Sequence, residues 1–394
     1  MHFSRKIIAA VNFITVLTGI IIMQACNNRA DHESFDYAKK YLADSIIIEN
    51  ADLSTSFTSG SNLSYNVSIP ASPVLWYFGK NFKVYKYDLL QKKIKDSIDL
   101  TVDSGIYHIH TSFYVDTAKR LYMLYHGEDK KALQLNPPSR PNSILVIANG
   151  KRTSINYQSN DSPKAFLYDA NTPLFIGSNI LFCKQQYYKL FKPSERIAYF
   201  SKKILGIFRI NDSSLVETRN FATFPEEYKE KFFHIQMPVA CLAADSMIFY
   251  CFSTNNTIYK YNIYSDKTDE VILSNVMKNN IFQFDDDSIT SFHYAINYSL
   301  TTDNYTSLSY DRISGNTLLF RTLALKNNKP DASGHVPIYD DKPVIAYVLD
   351  NKFNCIKRLM FNFQIYSKTY LYYNNKLYIP TFNNHQLKIL IYAL

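Results

Sequence analysis

Apolar and polar residues alternate through most of the chain, and short clusters of Asn, Asp, Gly and Ser interrupt the alternation. A period of two puts successive side chains on opposite faces of a strand. The run 82–88 (FKVYKYD) alternates and turns into 94–100. The run 143–148 turns at Asn149-Gly150 into 152–157, and Asn-Gly between alternating runs is a strong hairpin signal. The same arrangement recurs at 205–210 with 215–221, at 257–262 with 270–273 and at 344–350 with 355–361; 387–394 is the last strand. Most of these hairpins follow another strand pair, namely 109–115 with 120–125, 239–243 with 247–252, and 305–313 with 317–325.

The pairs group into units of about four strands at a spacing of roughly 50–60 residues. Four-stranded antiparallel units repeated radially describe a β-propeller. The expected fold is therefore all-β: a six-bladed β-propeller with blades over 62–100, 106–157, 171–221, 237–273, 304–361 and 368–394. Seven blades is the alternative count, and a pair of β-sandwiches the competing architecture. The last unit offers only three strands, 369–373, 376–381 and 387–394. The stretch 45–49, from before the first blade, is expected to supply the fourth, closing the ring and removing an exposed edge. Three segments depart from the pattern. Residues 35–42 read as a short helical stretch, and 224–233 as a short helix on a loop that caps one end of the channel. Residues 274–303 form a long insertion of the kind often used for function.

Composition agrees with this pattern. The chain carries 32 Tyr and 27 Phe against 10 Gly and one Trp, and aromatic residues favour half-buried pleated surfaces. The formal net charge of +9 is spread along the chain rather than gathered into blocks. It biases the surface towards acidic partners, without the sequence of any nucleic-acid module.

The N-terminus has a different character. Arg5 and Lys6 precede an apolar stretch over 7–23, and Gln24, Ala25 and Cys26 follow. A basic start, an apolar segment and a small residue make a secretory signal. A cysteine directly after that small residue resembles the lipobox of bacterial lipoproteins, in which the cysteine becomes the lipidated first residue. The expected organisation is a signal over 1–25, a polar tether over 26–44 that begins with lipidated Cys26, and one propeller domain over 45–394. A transmembrane anchor is the competing reading, but the apolar run is near the lower limit of about 17 residues for a span. Of the other cysteines, Cys183, Cys241 and Cys251 lie in apolar strand-like runs, where a buried free thiol is the default, and a Cys241–Cys251 bridge across a hairpin is the alternative.

The stretches 305–311 (YTSLSYD), 316–321 (NTLLFR) and 342–350 (KPVIAYVLD), with the closing 375–379 (NKLYI), carry a resemblance. They resemble the blade pattern of uncharacterised Bacteroidetes lipoproteins, a domain-of-unknown-function family with a TolB-like six-bladed propeller. The resemblance implies a fold and an address at the outer membrane, facing the periplasm or the cell surface. It brings no catalytic residues and no cofactor.

Three groups of residues are candidates for chemistry. His108 and His110 stand two apart in a strand and share a face. With His126, Glu128 and Asp129 they form either a ligand or acid–base cluster at the channel, or a polar strand face beside a solvated loop. Asp285, Asp286 and Asp287 offer carboxylates of the kind calcium takes, although the run lacks the spacing of an EF-hand. Otherwise they form a solvated acidic turn. Arg321 suits bidentate binding of a carboxylate or phosphate, or else a structural ion pair with Asp311. Triplets such as Asp96-Ser97-Ile98 and Asp245-Ser246-Met247 resemble an O-glycosylation acceptor pattern and are also ordinary turn sequences.

The functional expectation is a lipid-anchored binding or scaffold protein of the cell envelope, without catalytic activity, that recognises a protein or glycan through propeller loops. The alternative is a carbohydrate-active enzyme with paired carboxylates at the channel mouth.

Overall fold

The computed structural model of the chain describes residues 36–48, 63–66, 73–79, 83–99, 113–116, 118–125, 143–148, 151–157, 165–168, 174–176, 179–186, 193–211, 214–233, 237–244, 246–283, 292–326, 329, 336–363, 365, 370–383 and 386–394. Tyr37–Leu394 forms one compact unit. Two strands open it, β1 (Asp36–Tyr37) and β2 (Leu42–Ile48), with a 3-10 turn at Ala38–Tyr41 between them. An antiparallel sheet follows, of β3 (Leu63–Asn66), β4 (Val74–Gly79), β5 (Lys83–Asp88) and β6 (Lys93–Asp99). Next come β7 (Phe113–Val115), β8 (Leu121–Tyr125), β9 (Ser143–Ala148) and β10 (Lys151–Tyr157). After them come β11 (Ala165–Tyr168), β12 (Leu174–Ile176), β13 (Asn179–Gln186), β14 (Lys203–Ile210) and β15 (Ser214–Thr223). A further sheet holds β16 (Val239–Ala244), β17 (Met247–Cys251), β18 (Thr257–Asn262) and β19 (Lys267–Ile272). Then β20 (Asn304–Tyr310), β21 (Thr317–Thr322), β22 (Val344–Leu349) and β23 (Cys355–Phe361) pair in order, with β1 on the edge of β23. The last sheet joins β24 (Leu371–Tyr373), β25 (Lys376–Asn383) and β26 (Gln386–Ala393) to β2.

The described strands assemble into five hydrogen-bonded sheets, so the propeller has five blades, which corrects the expected six (with seven as the alternative). The finding that overturns them is a parallel pairing of β10 with β15 through Asn156–Ser214 and Tyr157–Leu215. It joins the stretches expected as the second and third blades into one nine-stranded sheet. Pairing two outer strands satisfies backbone groups that each would otherwise present on an open edge.

The ring closes through the N-terminal strand. β2 runs antiparallel to β26, from Leu42 opposite Tyr392 to Ile48 opposite Leu387. Ile46 and Ile48 enter one apolar cluster with Leu75, Tyr77, Leu371 and Ile389, which seals the last sheet against the first. Other clusters bridge the nine-stranded sheet to β16–β19 and β20–β23 to the closing sheet. Cys183, Cys241, Cys251 and Cys355 are free thiols. Cys241 lies opposite Phe249 and Cys251 opposite Val239, a diagonal placement in place of the bridge offered as an alternative. Burial pushes the Cys241 and Cys251 thiols far above their ordinary range, which leaves them unreactive.

The two faces of the ring differ. In an antiparallel meander the first-to-second and third-to-fourth turns share one end of the sheet. Here those connections are short, such as 89–92, 116–120, 263–266, 311–316, 350–354 and 374–375. Several begin with an Asp or Asn whose carbonyl or carboxylate oxygen accepts backbone N–H bonds from the turn. Asp88 accepts from Leu90 and Gln91, Asn262 from Tyr264 and Ser265, Asp311 from Ile313, and Asp350 from Lys352 and Asn354. Gly315 takes φ 74, where a side chain is disfavoured. Asn374 and Asn375 both take left-handed φ, as a two-residue hairpin of type I′ requires. Ion pairs tie neighbouring sheets on this side: Lys92 of the β5–β6 turn pairs with Asp44 at the start of β2, and Lys119 of the β7–β8 turn reaches Asp96 within β6. The opposite face carries the longer connections 187–202, 224–238, 273–303 and 323–343.

Ile48 is 2% exposed. Ile48→Ala is expected to cost about 2–4 kcal/mol by leaving a cavity between the closing sheet and the first. Chemical denaturation of the variant reads this directly; an unchanged midpoint would mean that the closure contributes nothing to stability.

Candidate functional site

Three helical pieces stand on the loop-rich face. The helix Pro193–Phe200 starts with proline at its first position, where the missing N–H is no loss. It meets the short helix Glu227–Glu230, which lies within the stretch expected to be helical. The contact is aromatic. The Tyr228 ring, fully buried, lies 5.4 Å from Phe200, 5.3 Å from Phe224 and 5.1 Å from Phe233. These tilted and edge-on rings fix the two segments over the sheets.

The third piece, the helix Phe292–Thr301, is held differently. A helix end leaves carbonyls unsatisfied, and a cation is favourable there. The Thr302 hydroxyl donates to the Tyr298 carbonyl at 2.7 Å, and the Lys342 ammonium donates to the carbonyls of Ser299 and Thr302 at 2.6 and 2.7 Å. Lys342 is 0% exposed, and its Nζ also lies 5.0 Å from the Tyr339 ring centre. Burial lowers its pKa to about 8, partly offset by the nearby Asp303 carboxylate.

Asp303 is the hub beside it. One carboxylate oxygen accepts from Arg321 Nη2 at 2.5 Å and from the Asn280 backbone N–H at 2.7 Å. The other accepts from the Ala324 N–H at 2.6 Å. Arg321 is 2% exposed and donates further to the carbonyls of Met277 and Lys278 and to the Tyr347 hydroxyl. Burial works against the guanidinium charge, but Tyr347 and Asp303 outweigh it and raise the Arg321 pKa. The cluster ties 277–280, 303, 324 and 342 to the sheet β20–β23, so both long connections, 273–303 and 323–343, are fastened at their roots. Among the polar residues they expose, four large apolar side chains also face outward: Phe282, Ile296, Val336 and Ile338. Phe282 packs edge-on to Tyr298, and its carbonyl accepts the Tyr298 hydroxyl, so its position is fixed.

Of the residues singled out in the sequence, Arg321 lies in this cluster. Its expected ion-pair partner, Asp311, does not; the partner is Asp303. β20 and β21 run between the two faces, with Asp311 at the tight-turn end and Arg321 at the other. Asp311 is instead a buried turn anchor that accepts from the Ser314 hydroxyl and, across the sheet boundary, from the Asn375 N–H. His108, His110, His126, Glu128 and Asp129 lie outside the described residues, as do Asp285, Asp286, Asp287 and Cys26. Among the described residues, no group of three or more His, Cys, Asp or Glu is placed to hold a metal ion. Lys342 and Asp303 were not singled out: each sits at the flank of a strand, where a charge reads as solvated.

Comparison with known proteins bears on the fold. No family profile and no curated protein matches the chain. A solved member of the DUF4221 family from Bacteroides vulgatus superposes with a TM-score of 0.61 at 12% identity, covering 89% of this chain and 96% of its own. The two share a fold. The calcium-binding protein regucalcin from Agrobacterium tumefaciens aligns with a TM-score of 0.37 at 8% identity over 84% of this chain and 90% of its own. BamB from Moraxella catarrhalis aligns with a TM-score of 0.34 at 10% identity over 89% and 99%. At those scores neither bears on this chain.

The low pKa of Lys342 has a definite sign in stability. The unfolded chain holds that proton up to the ordinary lysine value near 10.4, whereas the folded chain releases it from about pH 8. The unfolded state therefore binds more protons between these values, and stability from this group rises with pH across that window. Relative to Lys342→Met, the wild type is expected to gain on the order of 2–3 kcal/mol between pH 7 and pH 10. Denaturation of both proteins at the two pH values measures the difference; a constant gap would show that Lys342 titrates normally.

Proposed function

We propose that this protein is a lipid-anchored binding or scaffold protein of the cell envelope that recognises a protein or glycan partner through its loop-rich face. The observation that carries the reading is the asymmetry of the ring. Long connections gather on one face, a buried ionic cluster fixes their roots, and four large apolar side chains (Phe282, Ile296, Val336, Ile338) are exposed on them. Exposed apolar groups on a rigid base suit a binding surface, because little side-chain freedom is lost on association.

The address rests on the sequence. The signal-like N-terminus and Cys26 support lipidation and export to the outer membrane, with the propeller facing the periplasm or the cell surface. The shared fold with a DUF4221 member from Bacteroides supports a place in an uncharacterised family of that bacterial group. Dual acylation at one cysteine would hold the protein stably at a bilayer.

A cross-linking pull-down of tagged protein from intact envelopes tests this, with Cys26→Ala as the unanchored control and Ile338→Asp as the altered loop face. One dominant partner, lost with Ile338→Asp and depleted with Cys26→Ala, is the expected result. A well-expressed, anchored bait that captures nothing, or captures the same partner after Ile338→Asp, would refute recognition through this face.

A further inference from the structure

The tight-turn face presents a second set of outward apolar groups. Tyr264 is 80% exposed, Ile313 58% and Leu90 52%. They come from three different sheets yet hold one structural position. Each is the second residue after an Asp or Asn that accepts its backbone N–H: Leu90 on Asp88, Tyr264 on Asn262, Ile313 on Asp311. The turn is drawn inward by its capping oxygen and the next-but-one side chain is pushed out. Basic residues stand beside them. Lys93, Lys119, Lys151, Lys267, Arg312, Lys352 and Lys376 are exposed at the same end of their strands. Carboxylates are present as well, but several turn inward: Asp88 and Asp311 are buried and bound to turn amides, and Asp116 holds Arg120. The exposed surface is thus apolar tips among a majority of cations, with Asp44, paired to Lys92, and Asp266, which accepts from the Tyr261 hydroxyl, as exposed carboxylates.

The chain also enters the propeller on this side. Leu42 begins β2 opposite Tyr392, at the end where the β24–β25 turn lies, and Lys92 of the β5–β6 turn pairs with Asp44. Nine residues separate Cys26 from Asp36, where β1 already rests on β23, and even fully extended that stretch reaches no more than about 36 Å.

We infer that the tight-turn face is a membrane-docking surface that lies on an anionic bilayer, with Leu90, Tyr264 and Ile313 entering the headgroup region and the lysines facing lipid phosphates. This rests on the lipid-anchor reading above. It orients the propeller, so that the loop-rich face points away from the membrane towards a partner. Tyrosine suits the interface, being apolar in body and polar at the tip, and each basic residue near an anionic surface strengthens binding about fivefold.

The test uses the full lipidated protein reconstituted into phosphatidylglycerol vesicles with brominated acyl chains. Tyr264→Trp, Ile313→Trp and Ile338→Trp place one probe each, on the docking face twice and on the loop-rich face once. The native Trp76 is buried and is subtracted with the parent protein. The first two probes are expected to lose about twofold in emission, and the third to be unaffected, since interfacial groups sit within roughly 5–10 Å of the acyl boundary. In phosphatidylcholine vesicles the quenching should vanish while the protein still sediments with the lipid. No quenching at the first two positions, or equal quenching at Ile338→Trp, overturns the orientation while leaving the anchor intact. Quenching unchanged in phosphatidylcholine overturns the anionic requirement. Protein that does not sediment with either vesicle refutes the lipid anchor, and this orientation with it.

Discussion

The pairing of β2 with β26 is the constraint on which the rest of the molecule depends. Without it the closing sheet has three strands and an open edge on β26, and Ile46 and Ile48 leave the cluster that joins the last sheet to the first. A ring of sheets packed only on their neighbours has no other centre of stability, because each interface supports the next. The pairing also fixes geometry. β2 lies antiparallel to β26, so the chain must arrive from the tight-turn side and leave from the loop-rich side.

On that ring, two kinds of local chemistry divide the faces. At one end, Asp and Asn at strand ends satisfy turn amides and keep the connections short. At the other, connections are long, and they need anchoring because irregular backbone cannot satisfy its own polar groups. The Asp303–Arg321–Lys342 cluster does that work: nearly every oxygen and cation in it meets a backbone group of a long connection. Buried charges are not a source of stability in themselves, since their desolvation offsets their attraction. They are specific, however, and here they specify where two connections leave the sheet. Lys342, kept charged at neutral pH only against burial, is the member with the most to lose.

Much of this was legible in the sequence. Alternation found the strands, and Asn-Gly, Asn-Asp and Asp-containing clusters found most of the turns, because both signals are local. The spare N-terminal strand was legible too, from a shortfall of one strand in the last unit. The blade count was not. The β10–β15 contact joins the outer strands of two separate meanders, and no residue in 156–157 or 214–215 marks such an edge for parallel pairing. The helices Pro193–Phe200 and Phe292–Thr301 also escaped, the second because its aromatic and β-branched residues favour strands and its end is capped from Lys342, far along the chain. Arg321 was recognised but given the wrong partner. Asp311 is nearer in sequence, yet a strand's length separates the two, whereas Asp303 lies on the same face.

Hydrogen exchange on the intact protein tests the closure most directly. The amides of β2 that donate to β26 should exchange as slowly as those of β21 and β22, opening only when the whole ring opens. Rapid exchange across Leu42–Ile48, with β21 and β22 still protected, would show a ring that stands without its N-terminal strand and would contradict this account.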